Sequence, residues 1–191
     1  MSVPVKTSYV SLPVDIPESF LAPLENPSVI EVSPIDFEHS VLPEYKGLYA
    51  VILDNVMSPK ECDHLIRLAE MSAGGHIGNL EVPNDGWRPA MVNVGDNYEM
   101  LVEDYRNSDR IIWDEKDVAR RLWTRVLQGK GIKEYLLRLE GKTHAAALSR
   151  TAQEAWISTE QGMNERMRFL KYGAGQYFRG KCYPRDLRCD Y

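Results

Sequence analysis

Histidine and carboxylate side chains could hold a catalytic metal, but their spacing in this chain does not assemble a metal site. The four histidines are His39, His64, His76 and His144, and no His-x-Asp or His-x-Glu pair occurs. Cys62-Asp63-His64 offers three potential ligands, but adjacent residues of a helix point in different directions. We therefore assign no catalytic residue and no metal ligand, and we interpret His64 as an ordinary surface or hydrogen-bonded histidine.

The most informative stretch runs from Asn164 to Phe178. Residues 166–172 alternate between polar and apolar types, which predicts a strand with one buried face. Tyr172, the pair Gly175-Gln176 and Phe178 then follow the spacing Tyr-x-x-Gly-Gln-x-aromatic. The stretch resembles the strand that enters the active site of prolyl 4-hydroxylase-type dioxygenases, which depend on 2-oxoglutarate and Fe(II). Together with the order of the segments upstream, the resemblance covers about residues 47–180.

This resemblance implies both a fold and a chemistry. The fold would be α+β, with N-terminal helices and the first strands of a double-stranded β-helix (a jelly roll) that is incomplete at the C-terminus. Two histidines and one carboxylate hold Fe(II) in the family, and open positions remain for 2-oxoglutarate and O₂. With these groups bound, the family oxidises a C–H bond, here of a prolyl residue, a free amino acid or a small natural product.

The resemblance assigns a role to one residue, Tyr172, which matches a tyrosine that contacts 2-oxoglutarate in the family. An ordinary strand residue is an equally good interpretation of Tyr172. The first two iron ligands would fall at positions 181 and 183, which are Lys181 and Tyr183 in this chain. A protonated amine and a neutral phenol are poor Fe(II) ligands. We therefore expect this chain to bind neither Fe(II) nor 2-oxoglutarate well and to be inactive as written.

Residues 181–191 continue no pattern that precedes them, and we interpret them as an aberrant tail. Gly180-Lys181-Cys182 can be encoded as GGT AAG TGT, which contains GTAAGT, a strong eukaryotic intron start. Translated intron is therefore our first hypothesis, and a pseudogene that lost its catalytic half is the rival. A jelly roll without its later strands has unpaired edges and an open apolar face, so we expect poor solubility or partial unfolding.

Two functions from different classes are compatible with these patterns. In the first, a full-length form is a dioxygenase that acts on a small-molecule or peptidyl substrate. In the second, the chain is a non-catalytic pseudo-enzyme that binds or regulates a partner, such as a full-length relative paired through exposed strand edges. An unrelated α+β binding domain is a weaker third alternative.

The chain is predicted to contain three segments, namely residues 1–46, 47–180 and 181–191. The first holds seven of the eleven prolines and is predicted to be an extended N-terminal arm, because proline disfavours helices and central strands. The second is the partial dioxygenase domain, and the third is the tail.

Several elements are predicted within residues 47–180. Apolar runs predict strands at Leu48–Leu53 and Pro89–Val94. Ser58, Pro59 and Glu61 predict a capping box at the start of a helix that ends near Gly74. Its apolar stripe would comprise Cys62, Leu65, Ile66 and Ala69.

A second helix, capped by Asp114 and ending near Gln128, would bury Val118, Leu122, Trp123 and Val126. Residues 132–139 and 145–155 predict two short helices, and the four tryptophans are expected in the core.

Composition excludes some broad classes. The net charge of −5 and the pI of about 5.4 disfavour nucleic acid as the main partner, although a local basic patch remains compatible with them. No apolar run approaches the roughly 20 residues of a membrane span, and residues 1–14 do not have the pattern of a signal peptide. The three cysteines, Cys62, Cys182 and Cys189, are best interpreted as free thiols of a cytoplasmic protein, with a Cys182–Cys189 pair as the less favoured alternative.

Overall fold

The structure is a computed structural model that describes residues 3–74, 85–140 and 155–179. The chain divides into two compact units. Unit 1 comprises Met1–Val14, Ile66–Asp114 and Arg168–Tyr191, and unit 2 comprises Asp15–Leu65 and Glu115–Met167. The described residues form mixed α/β structure, with mostly antiparallel strands in small sheets and few helices.

The described elements are short. The strands are β1 (Val5–Lys6), β2 (Val10–Ser11), β3 (Glu31–Pro34), β4 (Val51–Asp54), β5 (Ala73–Gly74), β6 (Arg88–Pro89), β7 (Val92–Gly95), β8 (Tyr98–Met100), β9 (Arg106–Asn107), β10 (Asp109–Asp114), β11 (Arg138–Leu139), β12 (Trp156–Ile157), β13 (Arg166–Lys171) and β14 (Tyr177–Phe178). The helices are α1 (Pro59–Ser72), α2 (Lys116–Val126) and α3 (Ile132–Leu136), with 3-10 turns at Pro27–Val29 and Pro43–Tyr45. None of the described helices is long and apolar enough to span a membrane.

Unit 1 is built on two three-stranded sheets, with strand orders β1-β8-β7 and β13-β10-β6. Two pairs complete it, β2 with β5 and β9 with β14, both antiparallel. The centre is β10, where Ile111 and Trp113 are almost fully buried. Phe169 of β13 packs near Trp113, with ring centroids 6.4 Å apart. β13, which leads to Tyr172, therefore lies against the buried strand β10.

Unit 2 is organised around α2 and the pair β3–β4. Its buried side chains include Leu21, Ile30, Val118 and Ile132. The small pair β11–β12 is antiparallel, with Leu139 opposite Trp156. The proline-rich residues 1–46 therefore contribute both a strand and core side chains to unit 2. β3 pairs with β4 along its whole length, and Leu21 and Ile30 are buried.

The start of α1 confirms the predicted capping box. The Ser58 N–H donates to the Glu61 carboxylate at 2.8 Å, and the Glu61 N–H donates to the Ser58 hydroxyl at 3.3 Å. Pro59 occupies the first helical position, as predicted. Local hydrogen bonding was sufficient to locate this end because it involves residues only three apart.

The predicted apolar stripe of α1 was wrong in part. Cys62 and Ile66 are exposed, whereas Leu68, Ala69 and Ser72 are the buried residues. Only the last turns of the helix enter the core. Ser72 is tolerated there because its hydroxyl donates to the Ala69 carbonyl at 2.8 Å.

The second helix begins one residue later than predicted. Asp114 is the last residue of β10, and Glu115 is the N-cap, with its carboxylate accepting from the Asp117 N–H at 2.9 Å. Val118 is buried as predicted, while Leu122, Trp123 and Val126 are only partly buried. Because β10 continues through Asp114, the change from strand to helix occurs one residue later than predicted.

Other boundaries differ from the predictions in similar ways. The run Leu48–Leu53 forms a strand only from Val51, because its partner β3 has four residues. Pro89–Val94 forms two strands, β6 and β7, instead of one. Trp156 is 61% exposed, so its placement in the core was wrong, while Trp113 is buried as expected. The predicted helix at 145–155 lies mostly outside the described residues, as do the tail and Cys182 and Cys189.

Candidate functional site

Tyr172 follows directly after β13, in unit 1. Its side chain is 44% exposed, so the phenol faces an open surface instead of an enclosed pocket. The predicted strand over 166–172 is confirmed for Arg166–Lys171. The end of β13 therefore presents Tyr172 where a strand gives way to a turn.

The glycine-glutamine pair forms that turn. The Gly173 N–H donates to the Gln176 side-chain oxygen at 2.6 Å, and the Gln176 N–H donates to the Gly173 carbonyl at 3.1 Å. Gly175 has φ +78°, a backbone conformation that glycine adopts at little cost. The Gly-Gln motif thus has a local structural role, which is to close the turn between β13 and β14.

Aromatic and cationic side chains surround β14. The Arg106 guanidinium carbon lies 4.8 Å from the centroid of the Phe178 ring, and the Arg179 guanidinium carbon lies 5.7 Å from that of Tyr177. Tyr105 meets Phe178 edge to face at 5.3 Å. The Arg179 N–H also donates to the Tyr105 carbonyl at 2.9 Å, which extends the pairing of β14 with β9. We call the surface formed by Arg106, residues 168–172 and residues 177–179 the β13–β14 surface.

The side chains of Glu70, Trp87 and Lys171 form a third group beside β13. The Trp87 indole N–H donates to the Glu70 carboxylate at 2.8 Å, and the Lys171 ammonium lies 5.3 Å from the centroid of the Trp87 ring. The ammonium of Lys171 is thereby held in place by an electrostatic attraction to the indole.

A buried polar cluster lies elsewhere in unit 1. Arg110 and Glu99, each with an 8% exposed side chain, form an ion pair at 2.8 Å, and the Tyr9 hydroxyl hydrogen-bonds to both. Burial, together with the hydrogen bond to Glu99, raises the pKa of Tyr9 to about 12. The adjoining cavity of about 10 Å³ has room for roughly one water molecule. Because its polar groups bond to one another, we interpret the cluster as structural.

The described residues do not fit an iron site. Across residues 3–74, 85–140 and 155–179, no three His, Cys, Asp or Glu side chains are placed to share a metal ion. Positions 181 and 183 lie outside the described residues, but Lys181 and Tyr183 are poor donors for Fe(II). Tyr172, which the resemblance matches to a 2-oxoglutarate contact, is an exposed phenol at the end of β13.

The chain matches no family model, no curated protein and no solved structure. The resemblance to the prolyl 4-hydroxylase-type dioxygenases therefore stays a prediction from the residues, and the geometry must carry any argument about function.

Sequence reasoning missed the contribution of Tyr105 and Arg106. They lie about seventy residues before β14, and only the antiparallel pairing of Phe178 with Arg106 brings them together. It also missed the Arg110–Glu99–Tyr9 cluster, in which Tyr9 lies 90 residues before Glu99 in the chain. A polar residue directly before the apolar run of β10, as Arg110 is, was the available signal.

Proposed function

We propose that residues 47–180 are the part of a 2-oxoglutarate- and Fe(II)-dependent dioxygenase domain that precedes its iron ligands. The observation that supports this most directly is the arrangement around Tyr172. The Tyr-x-x-Gly-Gln spacing lies on a strand, a tight turn and a second strand, with Tyr172 exposed at the turn. The small antiparallel sheets are compatible with the first strands of a jelly roll.

In this proposal the 191-residue chain is not itself catalytic. Its described residues offer no ligand set for Fe(II), so no step of the family reaction is derived for it. A full-length form would act on a small-molecule or peptidyl substrate, and Tyr172 would then donate a hydrogen bond to 2-oxoglutarate.

Two measurements test the proposal. Sequencing of the mature transcript beyond codon 180 should show a spliced message that encodes His-x-Asp or His-x-Glu and a later histidine. A message that ends after Tyr191 in all mature transcripts would contradict the dioxygenase proposal. Anaerobic titration of the purified chain with Fe(II) and 2-oxoglutarate should show no stoichiometric binding, and tight 1:1 binding would mean that other ligands exist.

A second candidate function is a non-catalytic binding or regulatory role, such as pairing with a full-length relative. The observation that favours it is the exposed apolar and aromatic side chains around the end of β13, namely Leu170, Tyr172, Tyr177 and Phe178. Exposed apolar groups that cluster in this way are typical of interaction sites. Co-purification of the tagged chain with a purified full-length relative would test it, with a Phe178→Ser variant as the control.

A further inference from the structure

The β13–β14 surface differs in charge from the rest of the chain. Residues 168–172 and 177–179 contain three cationic residues, Arg168, Lys171 and Arg179, and no acidic residue, whereas the whole chain has a net charge of −5. Arg106, from β9, adds a further cation at the same surface. A local positive field on an acidic protein selects an acidic partner, because it attracts negative charge while the remaining surface repels it.

Apolar side chains lie among these cations. Leu170 is 43% exposed, Tyr172 44% and Phe178 49%. Rings and aliphatic groups of this kind supply most of the binding energy in protein interfaces, while surrounding charges select the partner. The surface therefore combines an anchor of apolar groups with a cationic rim.

The guanidinium groups at this surface are held in place. Arg106 lies over Phe178 and Arg179 lies over Tyr177, so stacking restricts two otherwise mobile side chains. Less side-chain entropy is then lost when these cations meet a carboxylate, which favours binding.

The main chain offers a binding edge as well. β13 is the terminal strand of the order β13-β10-β6, and none of the other described strands pairs with its outer edge. The N–H groups of Arg166 and Met167 already donate to Asn164 and Glu165, so the open part of this edge begins at Arg168. An open strand edge presents N–H donors and C=O acceptors in alternation, with which another extended polypeptide can pair. A nucleic acid has no main-chain donors in this pattern, so the edge favours a peptide.

We propose that the β13–β14 surface binds an extended acidic polypeptide segment, which adds as a strand to the outer edge of β13. Acidic side chains of that segment would pair with Arg168, Arg179 and Arg106, and its apolar residues would pack against Leu170 and Phe178. The proposal rests on the binding role named second above, and it gives that role a partner chemistry.

The probe for the test is a fluorescein-labelled ten-residue peptide of alternating Glu and Val, titrated with the full 191-residue chain. Its fluorescence anisotropy should rise to saturation, and the affinity should fall as salt increases from 50 to about 300 mM. A Gln-Val peptide of the same length should bind roughly tenfold more weakly. A Glu-Val peptide with alternate N-methylated residues should also lose roughly tenfold, because it cannot complete the strand ladder.

Variants of the chain locate the binding. The double variant Arg168→Glu and Arg179→Glu should weaken Glu-Val binding by roughly tenfold or more, since two pairs become repulsive. Lys6→Glu is the matched control, because Lys6 is an exposed cation of β1, which belongs to the other three-stranded sheet, and it should leave the affinity within about twofold. Far-UV circular dichroism checks that each variant keeps its secondary structure, and the peptide comparisons hold even where a variant does not fold.

Equal affinity for the Glu-Val and Gln-Val peptides would overturn the acidic selectivity. Equal affinity for the N-methylated peptide would overturn strand addition. Tighter binding of a labelled dT20 oligonucleotide that displaces the peptide would show that the surface recognises nucleic acid instead. These outcomes are separate from the sequencing of the mature transcript, which decides the dioxygenase proposal without reference to the peptide.

Discussion

Arg125 is a charged residue in the core of unit 2, with a side chain only 5% exposed. It donates to the Ala22 carbonyl at 2.8 Å and the Val56 carbonyl at 3.1 Å, and it forms an ion pair with Glu61 at 2.7 Å. A buried cation is costly unless it is paired and hydrogen-bonded. The same Glu61 closes the capping box of α1, so one carboxylate supports both a helix end and a buried arginine.

The pKa of Glu61 leads to a prediction about acid stability. The hydrogen bond from Arg125 is the main cause that lowers this pKa from its ordinary 4.5 to about 2. A carboxyl whose pKa is lower in the folded state stabilises the fold above pH 4.5 and loses that contribution as pH falls towards 2. We expect roughly 2 kcal/mol of local stability to disappear over this range, measured by amide hydrogen exchange across α1 after correction for the intrinsic exchange rate at each pH.

Glu61→Gln isolates that contribution. At pH 7 it should destabilise the protein by about 3 kcal/mol, because Arg125 remains buried without its counter-charge. The difference between variant and parent should shrink as pH approaches 2. Glu38→Gln is the control, since the Glu38–Lys46 pair is exposed and its loss should cost less than about 0.5 kcal/mol. A constant difference across the pH range would contradict the assignment.

Tyr9 leads to a prediction at the alkaline end. Its pKa of about 12 lies above the ordinary 10, so the folded state favours the neutral phenol. This contribution to stability is complete below pH 10 and is lost as pH rises from 10 to about 12. Burial also raises the pKa of Tyr49, so absorbance titration of tyrosinate should show fewer phenols ionising near pH 10 in the parent than in the urea-unfolded chain, Tyr9 among them. A Tyr9→Phe variant should remove that late-titrating phenol and leave the other transitions in place.

At the scale of elements, side chains of α2 bind the backbone of the proline-rich segment 17–24. Arg121 donates to the carbonyls of Pro17, Glu18 and Phe20 at 2.8 to 3.1 Å. Gln128 accepts from the Leu24 N–H and donates to the Leu24 carbonyl, both at 2.9 Å. Prolines leave few regular partners for these carbonyls, so Arg121 and Arg125 of α2, together with Gln128 just beyond its end, satisfy them. One face of α2 therefore orders an otherwise irregular segment.

Gln128→Glu tests this arrangement. A carboxylate cannot donate, and it would face the Leu24 carbonyl with its lone pairs. Amide hydrogen exchange across residues 17–26 should become roughly tenfold faster, as expected for the loss of a hydrogen bond and an added repulsion of about 1.4 kcal/mol or more. Arg120→Gln, a change at an exposed side chain of α2, should leave that exchange unchanged. Unchanged exchange in Gln128→Glu would mean that burial of Leu21 and the bonds from Arg121 and Arg125 hold the segment without Gln128.

At the scale of the whole molecule, the exposed apolar side chains matter most. Several apolar side chains outside the β13–β14 surface are more than 60% exposed, including Val41, Met71, Trp156 and Ile157. Small two- and three-stranded sheets also leave many strand edges without partners among the described residues. Such a surface favours association over a soluble monomer.

We therefore expect the isolated chain to unfold without a sharp thermal transition. Calorimetry should show a broad, weak endotherm, and gel filtration should show association at micromolar concentration. Addition of the Glu-Val peptide should sharpen the transition and raise its midpoint, because a ligand that binds the folded state stabilises it. A single sharp transition from a soluble monomer without any peptide would contradict this prediction.

Short-range patterns determined the local features that were predicted correctly. The capping box of α1, the strand over residues 166–171 and the buried Trp113 each depend on residue type and near neighbours. Such features can be inferred from the sequence because their hydrogen bonds and periodicity involve residues a few positions apart.

Tertiary structure alone decided which faces are buried and which distant residues meet. The face of α1 depends on where its last turns enter the core, and the pairing of Arg106 with Phe178 depends on the register between β9 and β14. Arg125 reads in the sequence as an ordinary surface cation, yet it is buried because carbonyls of Ala22 and Val56 and the carboxylate of Glu61 converge on it. Long-range contacts of this kind have no local signature, since they result from packing of the whole chain.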